Sequence, residues 1–80
     1  MANRRMFALT VTDSGEFQSM PLSTQAIYFH LGMHADDDGF VGNPKQIMRM
    51  LGGSDDEIRL LVAKGFVIPF NSGVCVIRHW

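Results

Sequence analysis

His30 and His34, followed closely by Asp36, Asp37 and Asp38, are the densest set of metal-ligating side chains in the sequence. Histidines four apart share one face of a helix, and the nearby aspartates would add oxygen ligands, so zinc is the first chemistry to test. The set falls short, because Gly32 sits between the histidines where a helix is expected to fray, and no cysteine joins them. The aspartates fail as a calcium loop too. With Gly39 as the sixth loop residue, His34 becomes the first ligand and Lys45 replaces the bidentate glutamate, so too few oxygens remain. An acidic turn between a helix and a short strand is the better reading. No serine sits in a recognisable nucleophile context. Cys75, between Val74 and Val76 with no base beside it, reads as a small buried hydrophobe. The expectation is no metal, no cofactor and no catalytic residue, so the chain is not read as an enzyme.

What remains is charge. The seven basic residues are Arg4, Arg5, Lys45, Arg49, Arg59, Lys64 and Arg78, and eight acidic residues bring the net charge to −1. That balance argues against a strongly basic surface, while a local phosphate-binding patch remains open. Lys45 and Arg49, four apart, would project together, with Arg4, Arg5 and Arg78 as possible neighbours. Arg59 and Lys64 lie on the outer face of the following helix, which opens on Ser54-Asp55-Asp56-Glu57. Those carboxylates suit the positive end of a helix dipole but oppose contact with phosphates. Leu60 and Ala63 point away from Ile58 on the same helix, and an exposed leucine beside an alanine suggests protein contact.

These residues need a scaffold. Eighty residues make one domain with a small stability margin. One cysteine excludes an intrachain disulfide and fits a reducing cytosolic setting, and no apolar run approaches the ~20 residues that span a bilayer. Positions 1–20 read as an N-terminal arm, extended through Met6-Phe7-Ala8-Leu9-Thr10-Val11-Thr12, and then a short helix opened by an Asp13-x-x-Glu16 capping box, with Phe17 and Met20 pinned to the core. Positions 21–80 form the main domain. From Pro21 to about His34 the residues predict a helix that is apolar nearly all round. Leu22, Ala26, Phe29 and Met33 lie on one face and Ile27 and Leu31 on the other, so this helix is expected to be a central post with partners on several sides.

Phe40 and Val41 follow as a short strand. Asn43 and Pro44 start a second helix with Ile47, Met50 and Leu51 as its buried face, stopped by Gly52 and Gly53. Ser54 and Glu57 form a second capping box, and Ile58, Leu61 and Val62 face inward until Gly65. Phe66 to Phe70 and Val74 to Ile77 predict a hairpin around Asn71-Ser72-Gly73, with Pro69 on an edge. Helix, short strand, helix-turn-helix and hairpin in that order predict an α+β fold, a winged helix with three main helices and a small antiparallel sheet. A domain cut from a longer protein is expected.

The run Met20-Pro21-Leu22-Ser23-Thr24-Gln25-Ala26-Ile27-Tyr28-Phe29-His30, continuing through Ala35-Asp36-Asp37-Asp38-Gly39-Phe40-Val41 and Asn43-Pro44, carries a family resemblance. With Ser54-Asp55-Asp56-Glu57-Ile58 and the terminal Val76-Ile77-Arg78-His79-Trp80, it resembles the N-terminal domain of phage and prophage replication initiation proteins, the DnaD-like replisome organisers. The resemblance implies a winged-helix module at the front of a larger protein in the cytoplasm of a bacterial host. Such a module acts in self-assembly, in binding duplex origin DNA, or in both, and a helicase or helicase loader would be a partner. The competing reading is the domain of a sequence-specific DNA-binding transcriptional regulator.

Overall fold

A computed structural model describes residues 6–80 of the chain. Among them run α1 (Leu9–Thr12), α2 (Gly15–Gln18), α3 (Leu22–His34), β1 (Phe40–Val41), α4 (Pro44–Met50), α5 (Asp55–Ala63), β2 (Val67–Pro69) and β3 (Cys75–Ile77). The fold class is therefore α+β, with three longer helices and a three-stranded antiparallel sheet. Arg4 and Arg5 lie outside the described residues.

Helix α3 buries Thr24, Ile27, Tyr28 and Leu31, whose spacing is that of a single helical face. This corrects the expectation of a post enclosed on several sides. Leu22 is 81 % exposed, and Ala26, His30 and Met33 continue the outward stripe, because α4, α5 and β1 all pack on the other face. The helix also passes through Gly32 without fraying. Phe7 packs closely over it: a Cβ would lie 2.7 Å from Phe7 Cε1, so a larger residue there would have to displace the ring.

The N-terminal segment differs from its expected form as well. Instead of an extended run, Leu9–Thr12 is the helical turn α1, with Asp13 at its C-terminal end. The cap of α2 is Ser14 rather than Asp13. Its Oγ accepts from the Phe17 N–H at 3.2 Å and donates to the Val11 carbonyl at 2.7 Å, so one hydroxyl joins two turns back to back. This pins Phe17, as expected, into an aromatic cluster. The Phe17 ring lies 5.1 Å from Tyr28, 5.7 Å from Phe29 and 5.4 Å from Phe66, each edge to face, and Phe7 meets Phe29 at 5.0 Å.

In α4 the buried residues are Pro44, Ile47 and Met48, while Met50 is 67 % and Leu51 40 % exposed. Ile47 is buried as expected, but Met50 and Leu51 are not part of the inner face: Met48 turns inward instead, about 200° around the helix from Met50, and Leu51 lies at the C-cap. The helix closes on Gly52 at φ +76, with the Gly53 N–H donating to the Met48 carbonyl at 3.0 Å and the Gly52 N–H to the Arg49 carbonyl at 3.1 Å. The same closure ends α5, where the Phe66 N–H donates to the Leu61 carbonyl at 2.9 Å.

Asn43 and Ser54 occupy the N-cap positions but neither side chain caps. The Asn43 amide instead donates to Gln46 Oε1 at 3.3 Å. The Ser54–Glu57 box does not form: Glu57 turns into the cleft beside Ile27 and His30, where its Oε2 is buried without a hydrogen-bond partner.

The sheet order is β1-β3-β2, with Phe40 opposite Val76 and Val41 opposite Cys75 on one side, and Ile68 opposite Val76 on the other. Val41, Val67, Cys75 and Ile77 face the core and are buried. Pro69 lies in an edge strand, as expected. The acidic turn is held by Asp36, whose Oδ1 accepts from the backbone N–H groups of Asp38 and Phe40, each at 2.9 Å. It delivers Phe40 to the sheet.

Candidate functional site

Side chains directly opposite one another in an antiparallel sheet share a face, so the register places Phe40, Val76 and Ile68 in one row on the outer side. Phe40 and Ile68 are each 42 % exposed and Phe70 47 %. Phe40 and Phe70 stack across the middle strand with centroids 5.9 Å apart and planes at 27°. Val74 and Val76 are half-buried beneath them. A small domain thus presents a continuous apolar face from a sheet whose other side already fills the core. Antiparallel strands with one solvated face normally alternate apolar and polar residues. Here Ile68, Phe70, Val74 and Val76 break that rule, and this absence of alternation was the sequence signal for the face.

The described basic residues do not form one surface. Lys45 and Arg49 are exposed on α4. Arg59 is tied to Asp56 at 3.2 Å in an exposed pair of the kind that adds little stability. Lys64, at the end of α5, donates to the Ser19 hydroxyl at 3.4 Å. Arg78 follows β3 and lays its guanidinium over Gly65. Of these, Lys64 and Arg78 line one groove, together with Ser14, Glu16, Phe66 and His79. Asp55, Asp56 and Glu57 occupy the first turn of α5, as expected.

Of the expected protein-contact pair, Ala63 is exposed, whereas Leu60 is half-buried and packs against the core. The outward projection expected of Leu60 is corrected accordingly. Exposed apolar groups stand on the sheet as well, at Phe40, Ile68 and Phe70, a location that a helical-wheel argument does not reach.

Two grooves run beside the N-terminal turns. The first, of about 500 Å³, is the one that holds Lys64 and Arg78. The second, of about 510 Å³, is lined by Phe7, Tyr28, Ile77 and Trp80 among others. They share Val11 and His79 as a common wall. The Trp80 indole N–H donates to the Asp37 carbonyl at 2.9 Å, which fixes the ring while leaving the residue 46 % exposed.

Among the described residues no three His, Cys, Asp or Glu side chains converge as a metal site. Burial pushes the Cys75 thiol up to about 11, the opposite of an activated nucleophile. No helix among the described residues is long and apolar enough to cross a membrane. Comparison with protein families, with characterised proteins and with solved structures finds no match to this chain.

Proposed function

We propose that the chain is a winged-helix module of a replication-initiation protein of the phage and prophage, DnaD-like kind, and that its main task is assembly with further copies of itself. The observation that carries this reading is the outer face of the sheet, where Phe40, Ile68 and Phe70 stand exposed side by side, with Phe40 and Phe70 stacked. In the order α3, β1, α4, α5, β2, β3, the pair α4 and α5 serves as the helix-turn-helix and the β2–β3 hairpin as the wing.

A second copy suits the face because Phe40, Ile68, Phe70, Val74 and Val76 carry no charge, so two such faces can meet about a twofold axis without like-charge repulsion. The exposed area is only on the order of a few hundred Å², well below the roughly 800 Å² per partner of a stable complex. Association is therefore weak and depends on concentration. Duplex contact is secondary: Lys45 and Arg49 supply two cations on α4, but the helix in the recognition position starts with three carboxylates.

Sedimentation velocity over a range of concentrations tests the proposal. The weight-average sedimentation coefficient is expected to rise with concentration, and the rise is expected to vanish in the Phe40→Ser/Phe70→Ser double variant. A strictly monomeric protein at millimolar concentration contradicts it.

A further inference from the structure

The two grooves beside the N-terminal turns combine features that neither has alone. One holds Lys64 and Arg78, and the other holds Trp80, with the His79 imidazole in the wall between them. Arg78, His79 and Trp80 are consecutive, so cation, imidazole and indole are presented in sequence along one rim. His79 is itself propped on Phe66, with ring centroids 5.7 Å apart. Part of the charge of Lys64 and Arg78 answers the negative end of α5. The rest is not cancelled, because among the described residues the only ion pair is Arg59 with Asp56. Glu16 is the one carboxylate lining the cationic groove, and it lies within ion-pair distance of neither cation.

We propose that this double groove binds a single-stranded polynucleotide, with a base against Trp80 and His79 and the neighbouring phosphate at Lys64 and Arg78. Aromatic faces beside cations form the general recognition mode for unpaired strands, since every base has a face to stack and every linkage a charge. A groove of about 500 Å³ has room for a base or for a phosphate and its sugar, and a base paired and stacked inside a duplex has no free face to offer. The site uses none of the residues of the outer sheet face, so it stands or falls independently of self-assembly.

Trp80 is the only tryptophan of the chain, which makes its fluorescence a direct probe of the site. The test is a titration of the whole chain with ten-nucleotide oligothymidylate, with oligouridylate of the same length, and with a ten-base-pair duplex. Quenching of Trp80 by either single strand supports the proposal, and the two single-strand arms tell DNA from RNA. The logarithm of affinity is expected to fall with that of salt with a slope of about −1, for one to two phosphates. Lys64→Gln and Arg78→Gln are each expected to weaken binding about three- to tenfold, and Glu16→Gln to tighten it about twofold. Lys64 and Glu16 are exposed, so these two variants keep the test intact if loss of Arg78 disturbs the fold, as circular dichroism would reveal. No quenching at millimolar oligonucleotide, equal quenching by the duplex, or affinity indifferent to both Lys64→Gln and Glu16→Gln overturns it.

Discussion

Cys75 shows how position sets chemistry. It is 3 % exposed on the inner face of β3, and burial raises its thiol from about 9 to about 11. The unfolded chain deprotonates first as pH rises, so the stabilisation from the neutral thiol is complete below pH 9 and is lost between about 9 and 11. At 1.36 kcal/mol per pH unit, that window corresponds to roughly 3 kcal/mol. Burial raises the Tyr28 hydroxyl in the same direction, which adds to the loss in alkali. Iodoacetamide is therefore expected to leave the native protein unmodified at pH 8 and to label Cys75 once alkali or urea opens the fold. Rapid labelling at pH 8 without unfolding would show that the thiol is not buried. Gly32 offers a second test. Glycine to alanine within a helix ordinarily gains about 1 kcal/mol. Here the new methyl meets the Phe7 ring, so Gly32→Ala is expected to destabilise by about 1–2 kcal/mol in urea titrations and to become stabilising in a Phe7→Ala background.

Helix starts separate what the sequence specifies from what packing decides. Three N-cap positions carry suitable residues, Ser14, Asn43 and Ser54, yet only the Ser14 side chain accepts a backbone hydrogen bond. Ser14→Ala is expected to cost about 1 kcal/mol, whereas Asn43→Ala and Ser54→Ala should each stay within about 0.5 kcal/mol in thermal unfolding. Equal losses at all three would contradict the observed caps. Helices α4 and α5, the hairpin and its turn, and the pairing of Phe40 and Val41 with the sheet were legible because glycine, proline and β-branched residues act locally. The α1 turn was not, since Leu9–Thr12 has a strand-like composition and is made helical by its junction with α2 through Ser14. On α4 the sequence shows Ile47 as inward but cannot choose between Met48 and Met50, which are equally apolar; packing turns Met48 in, beside Gly53. As for the candidate sites, the cations were visible in the sequence, but their division between α4 and the Lys64–Arg78 groove depends on tertiary contacts.

Across the whole molecule, the six phenylalanines divide by role. Phe7, Phe17, Phe29 and Phe66 join Tyr28 in the core, and Phe40 and Phe70 stack outside on the sheet. Removing a core member is costly: Phe17→Ala is expected to lose about 3–5 kcal/mol, enough to unfold a domain of this size, with far-UV circular dichroism as the readout. Removing the outer pair should leave folding almost intact and affect association alone, because those rings contribute little to the interior. Copies of the chain are proposed to meet on that outer face. Amide spectra of the isotope-labelled chain recorded from millimolar to micromolar concentration test this most directly. Resonances of Phe40, Ile68, Phe70 and Val76 are expected to shift together on dilution while those of Asp55 to Arg59 stay fixed, and shifts confined to α5, or none at all, would contradict it.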